Sequence, residues 1–210
     1  MTEAGRFITL EGGEGAGKST LIAGLRTALE TRGLDVRVTR EPGGTALAER
    51  VRTLALTPPD GEAWSPLAHA LLMNTARQDH LEKLIRPALA QGAWVVCDRF
   101  ADSTLVYQSI EGVPVDVLQQ LQEMIVGETQ PDLTLILDAP PEALFDRRTQ
   151  RAICDVFEAK DLSFHQDVRR GFQAIADRAP KRCHLVDALA PPEAVLAAAL
   201  RLIDQHLIPA

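Results

Sequence analysis

The chain has 210 residues, 46% of them hydrophobic and 24% charged, a size and balance that suit one domain with a substantial core. Its 29 acidic side chains against 22 basic ones leave a net charge of −7, which argues against a broad electrostatic footprint for nucleic acid. The three cysteines, Cys97, Cys154 and Cys183, are odd in number and form no C-x-x-C pair, and no apolar run reaches membrane-spanning length. The expectation is a soluble, cytoplasmic protein with neither a disulfide framework nor a zinc site, and with no membrane partner.

Taken in chain order, short β-branched runs alternate with longer helical patterns, as in βαβ units with a parallel sheet. The predicted strands are RFITL, DVRVT, AWVVC, LTLIL and CHLVD. After the first strand, Leu21, Ile22, Leu25, Ala28 and Leu29 recur at helical spacing, and Gly33 supplies the stop. TPPDG at 57–61 is turn chemistry, the stretch 65–92 reads as one long helical region closed by Gly92, and VPVDVLQQLQEMIVG reads as a shorter helix closed by Gly127. The charged, weakly periodic segment of about 147–161, after the fourth strand, is a candidate mobile cover. The fold class is therefore α/β: a single domain over 1–210, three layers, a five-stranded parallel sheet with helices on both faces, and a small lid.

The first strand runs into EGGEGAGKST, where Gly12, Gly17, Lys18 and Ser19 fit G-x-x-x-x-G-K-[ST] between a strand and a helix. Glycines allow positive φ and close approach, so successive N–H groups of such a loop wrap a phosphate at the helix N-terminus. Gly12, Gly13, Glu14, Gly15, Ala16, Gly17, Lys18, Ser19 and Thr20 are thus expected to bind ATP. Lys18 would reach the β- and γ-phosphates, and the Ser19 hydroxyl would ligate Mg²⁺. Neither the N-K-x-D string of GTPase switches nor the L-S-G-G-Q string of ABC ATPases occurs, which shifts weight to small-molecule kinases. The third strand ends in Asp98-Arg99, at the sheet edge where doubly wound folds bind ligands. Asp98 is suited to a Mg²⁺-bound water and Arg99 to a bidentate phosphate clamp, with a plain ion pair as the alternative.

ITLEGGEGAGKST, TREPGGT at 39–45, Ala76-Arg77 on the long helix and CDRFADSTLVYQ at 97–108 occur in that order over nearly the whole chain. Together they resemble the bacterial thymidylate kinases, P-loop enzymes of nucleoside monophosphates. The resemblance implies transfer of the ATP γ-phosphoryl group to dTMP, giving dTDP and ADP on the route to dTTP, in a homodimer. It implies that Arg77 contacts the thymine ring and Arg99 the acceptor phosphate. Thr104, Tyr107 and Gln108 would lie near the base and deoxyribose, Met73 would face the base, and Arg40, Glu41 and Pro42 would shape the acceptor side. Glu14 would reach the sugar 3′-hydroxyl, with pairing to Arg99 as the rival reading. Members with a G-A-G-K loop take a catalytic arginine from the lid, which nominates Arg151 first and Arg147 second.

Four features depart from the family pattern. Met73 stands where a phenylalanine is common, SIEGV at 109–113 replaces a glycine-rich run with an arginine, Asp155-Val156-Phe157-Glu158 replaces D-R-x-E, and Ala152 replaces a lid glycine. These fall in the acceptor pocket and lid and spare the phosphate loop. They keep open a kinase of another nucleoside monophosphate or of a nucleoside, and an ATP-binding regulatory paralogue with little transfer.

Overall fold

The computed structural model describes residues 5–59, 62–144, 156–157 and 160–208. Among these, five strands form one parallel sheet: β1 (Phe7–Gly12), β2 (Val36–Arg40), β3 (Trp94–Asp98), β4 (Leu133–Asp138) and β5 (Cys183–Asp187), in the spatial order β2-β3-β1-β4-β5. The predicted strands are all present, CHLVD with both ends as predicted and the others with ends moved by at most two residues. β1 is flanked by β3 on one side and β4 on the other, so the connections leaving it and its neighbours diverge and open a crevice at the carboxyl ends.

Period-two alternation splits each central strand between two cores. Ile8, Leu10, Val96, Leu133, Leu135 and Leu137 face α1 (Lys18–Thr31) and the C-terminal helix α8 (Pro192–Leu207), which contribute Leu21, Leu25, Leu29, Ala199 and Ile203. On the other face, Phe7, Val95 and Cys97 pack with Leu81, Ile85 and Phe100, while Ile136 packs with Val106, Val168 and Phe172. These helix-side residues come from the long helical region, from α5 (Ala101–Ile110) and its N-cap Phe100, and from α7 (Leu162–Arg178). Gly171 of α7 lets α5 approach closely, since a Cβ there would lie 2.8 Å from Val106.

The stretch 65–92 is not one uniform helix. It forms α3 (Pro66–His80), a π-helical turn (Leu81–Ile85) and α4 (Arg86–Ala90). Pro87 explains the change, because it lacks an N–H for the residue one turn back and its ring crowds that carbonyl, so the ladder widens upstream. Two further helices, α2 (Ala46–Leu56) and α6 (Val115–Val126), flank α3, and Thr45 caps α2 by accepting from Ala48 N at 3.2 Å. Asp161 caps α7 through Phe164 N at 2.9 Å, which fixes the end of the expected lid segment.

Candidate active site

The loop leaving β1 turns through left-handed backbone at Gly15 (φ 79°) and Gly17 (φ 94°), and Gly17 is the N-cap of α1. At Gly12 a Cβ would come within 2.4 Å of the Leu137 carbonyl on β4, so the loop can leave the sheet there only as glycine. Lys18 is buried and donates from Nζ to the Gly12 and Gly13 carbonyls, at 3.1 Å each. Burial, then the neighbouring Arg99 charge, lowers its pKa. An ammonium held at the loop's own carbonyls stands ready for anionic oxygens, because exchange for a phosphate adds countercharge without moving the backbone. Ser19 and Thr20, the next two residues, are exposed on the first turn of α1.

β3 delivers the second half of the site. Arg99 has φ 66°, the left-handed conformation at a non-glycine residue. Its N–H bonds Leu10 O at 2.9 Å, and the next N–H, of Phe100, donates to the buried Glu11 carboxylate at 2.8 Å. Glu11 also accepts from Ser103 N (3.3 Å) and Ser103 Oγ (2.6 Å), so it holds the first turn of α5. Burial, with the Asp102 charge adding, raises its pKa to about 7. The Arg99 guanidinium donates to Ser103 Oγ at 3.1 Å and to Glu14 at 2.5 Å, and lies 5.0 Å from the centre of the Tyr107 ring. Burial opposes its charge, but the carboxylates of Glu14, Asp98 and Glu11 outweigh it and raise its pKa. Tyr107 donates to Glu14 at 3.3 Å, and burial raises its pKa too. The Glu14–Arg99 pair posed as a rival reading is present, and it ties the phosphate loop to the acceptor side. The plain Asp98–Arg99 pair does not form.

TREPGGT forms the facing wall. Glu41-Pro42 is a cis peptide, and the Glu41 carboxylate is buried. It accepts from Arg77 Nε at 2.8 Å, while the remaining guanidinium nitrogens donate to Asn74 Oδ1 and Thr104 Oγ1, both at 3.0 Å. Phe100 lies beneath Arg77, 5.3 Å from its guanidinium carbon to the ring centre. Thr104 and Gln108 are buried rather than exposed helix polar groups. Gln108 donates to Glu111 at 3.3 Å, and Glu111 bonds His69 at 3.0 Å, so the departure SIEGV places a carboxylate in a part-buried polar pair with α3. Met73 is buried in the cluster that includes Tyr107 and Phe157.

These groups line one cleft that opens to solvent, a concave site with convergent polar groups of the kind that holds a small ligand. It is lined by Glu14 through Ser19, by Arg40, Glu41, Pro42, Met73, Arg77, Asp98 and Arg99, and by Thr104, Tyr107 and Gln108. Arg40 itself pairs with Glu49 at 2.9 Å on the surface. Gly12 and Gly13 border a smaller depression with Asp138 and Arg169, a bidentate pair at 2.8 and 2.9 Å. Arg147 and Arg151, together with Ala152, Asp155 and Glu158, lie outside the described residues.

Five contributors escaped the sequence reading: Glu11, Asn74, His80, Ser103 and Phe157. Glu11, Ser103 and Phe157 stand inside the motifs quoted above but have no role assigned there; the Phe157 ring lies 4.9 Å from Tyr107 and stacks on His69 at 5.3 Å. For Mg²⁺, the donor set is oxygen only. Asp98 Oδ1 is buried without a hydrogen-bond partner, as a carboxylate facing a hydrated hard cation would be. Ser19 and Asp98 therefore fit the ion, although no cluster of three or more metal-binding side chains occurs among the described residues.

A glycine-rich phosphate loop after β1 that opens onto an arginine-lined cleft, at the carboxyl edge of a parallel sheet, defines a P-loop kinase. The thymidylate kinase family model matches residues 10–199, and the chain is 49% identical over 208 residues to the thymidylate kinase of Caulobacter vibrioides, covering 99% of both chains. It is also 50% identical over 195 residues to that of a Bradyrhizobium strain, covering 91% of this chain and 86% of the relative. The crystal structure of thymidylate kinase from Ehrlichia chaffeensis superposes with a TM-score of 0.76 at 32% identity, over 95% of this chain and 99% of the other. The chain belongs to the thymidylate kinase family.

Proposed function

We propose that the protein transfers the γ-phosphoryl group of ATP to the 5′-phosphate of dTMP, giving ADP and dTDP. The observation that carries this reading is the Glu14–Arg99 contact, which joins the donor loop to the acceptor cleft through one pair of side chains. The acceptor oxygen is already ionised, so it attacks γ-phosphorus as the bond to the β–γ bridging oxygen breaks, and no general base is needed. Lys18 and the loop N–H groups hold the donor, and Arg99 holds the acceptor phosphate. Arg77, fixed at three nitrogens, presents a rigid face to the base. Alignment of two anions and neutralisation of transferring charge supply the rate. Ser19 and Asp98 would hold Mg²⁺, which when bound shields the phosphate oxygens. Arg151, and secondarily Arg147, are proposed to approach the γ-phosphate from the lid.

Purified protein with Mg-ATP and dTMP, dUMP, UMP, dCMP, AMP or GMP, followed by ADP release, tests the reading. A dTMP preference is expected, and its absence overturns the assignment. In the same assay Arg151→Ala should lower turnover by about 10³-fold or more with ATP binding retained; unchanged turnover would favour a regulatory nucleotide binder.

We further propose a cytoplasmic homodimer. Leu47 and Leu54 on α2 and Leu67 and Leu71 on α3 are large exposed apolar side chains repeating at helical spacing, and α2 packs on α3. Cys97 and Cys183 are buried free thiols, in keeping with a reducing compartment. No helix among the described residues is long and apolar enough to cross a membrane. Sedimentation at micromolar concentration should give twice the chain mass; a monomer would overturn the dimer.

A further inference from the structure

His80 has no solvent exposure, yet both of its ring nitrogens meet polar side chains. Nδ1 lies 3.0 Å from Glu41 Oε1 and Nε2 lies 2.7 Å from Thr39 Oγ1. A carboxylate oxygen only accepts, so Nδ1 carries the hydrogen towards Glu41, and in the neutral ring Nε2 accepts from the threonine hydroxyl. The other Glu41 oxygen receives Arg77 Nε at 2.8 Å. Arg77 and His80 are three residues apart on α3, so they share one helix face and grip one carboxylate from the same side. Thr39 is the penultimate residue of β2, one before Arg40. The four groups therefore run Thr39–His80–Glu41–Arg77, from the sheet to the wall of the acceptor cleft.

Two features of the backbone keep the imidazole in this position. A Cβ on Gly44 would lie 2.4 Å from His80 Nε2 and 2.6 Å from Thr39 Oγ1, so the loop after β2 rests directly on the ring. The helix also widens into its π-turn at Leu81, the residue after His80. An apolar side chain would fill the same space. It would leave one oxygen of a buried carboxylate without a donor, and a carboxylate in that position is free to rotate and take the guanidinium with it.

We propose that His80 is a positioning residue for acceptor recognition: held between Thr39 and Glu41, it orients the carboxylate that aims Arg77 into the cleft. This rests on the reading of that cleft as the nucleoside monophosphate site. Arg77 lies on the base side of the cleft, away from the transferring group, so its misalignment weakens acceptor binding more than turnover.

Steady-state kinetics of His80→Ala, His80→Asn and His80→Gln, with dTMP and ATP varied separately and thermal unfolding measured alongside, test the proposal. Asparagine places its amide nitrogen near the Nδ1 position and keeps the donation to Glu41, whereas glutamine reaches the Nε2 position and meets only Thr39. His80→Ala and His80→Gln are expected to raise the dTMP KM about tenfold, the cost of a lost hydrogen bond to a charged group, with the ATP KM within about twofold. His80→Asn should return the dTMP KM to within about threefold of wild type. The proposal is overturned if glutamine rescues as well as asparagine, if the ATP KM rises in parallel, if alanine leaves the dTMP KM unchanged, or if no variant folds. Failure of the underlying acceptor reading is separate, because wild-type protein would then show no dTMP-dependent ADP release.

Discussion

Glu14 sits in a donor loop and bonds two acceptor-side groups, Arg99 and Tyr107. Its backbone serves the anion-binding turn while its side chain faces the acceptor cleft, which resolves the oddity of a carboxylate inside a phosphate-binding loop. The geometry allows an acceptor hydroxyl to join this cluster by donating to the carboxylate. Removing a 3′-hydroxyl from the acceptor should therefore lower kcat/KM about 10- to 100-fold in wild type and much less in Glu14→Ala, since a hydrogen bond to a charged group is worth roughly 1.5–3 kcal/mol. Equal ratios in both proteins would show that Glu14 serves only Arg99. Sequence placed Lys18, Asp98 and Arg99 at the site because their motifs carry them. It did not place Ser103, whose hydroxyl also donates to Glu11 on β1, or Asn74, whose amide oxygen accepts from Arg77 one helical turn away, because a small polar residue near an arginine carries no signal of its own.

At the level of the element, the turn from β2 into α2 shows how backbone geometry limits side-chain choice. Gly44 has φ +86° and no room for a Cβ against His80. Gly44→Ala is expected to destabilise the fold by about 2 kcal/mol or more, from left-handed strain plus the contact, and to raise the dTMP KM because the ring it displaces supports Glu41. Denaturant unfolding and kinetics check both halves; a neutral substitution would mean that the loop is not seated on the imidazole. The β1–α5 connection has a comparable device in Glu11, which accepts two backbone N–H groups and a hydroxyl at the start of α5. In the sequence Glu11 is simply the charged residue ahead of the phosphate loop. The sequence pattern made the strands and α1 plain, but the π-turn was not visible, because apolar spacing continues through it and only the strain at Pro87 reveals it.

Over the whole molecule, two titratable groups, buried Glu11 and half-buried His184, set opposite trends of stability with pH. Glu11, with an ordinary value of 4.5, titrates near 7 in the fold because it is buried. Its stabilising contribution is complete below 4.5 and is lost as pH rises through 7. Glu11→Gln removes that loss, so its stability relative to wild type should improve between pH 5 and 8 by up to about 3 kcal/mol. Urea unfolding at several pH values measures this, and a constant difference would show that Glu11 does not titrate there. His184, beside His206 at 4.4 Å between ring centres, has its pKa lowered from 6.5 by burial and then by the His206 charge. Its contribution is present above 6.5 and is lost as pH falls through the lower folded value. Acid should therefore weaken the packing of α8 on β5, and His184→Leu should reduce that acid sensitivity.

The sequence by itself determined the α/β class, the five strands, the phosphate loop and the family, because these rest on local rules: side-chain period, glycine freedom and a contiguous anion-binding motif. Only the tertiary structure decided that Glu14 pairs with Arg99, that Glu111 pairs with His69, that Phe157 joins the wall beside Met73, and that Arg77 is held through Glu41 and His80. Each of these contacts joins residues separated by tens of positions or more. Their energies depend on burial and on donor–acceptor geometry, which exist only once the sheet and helices have brought the groups together.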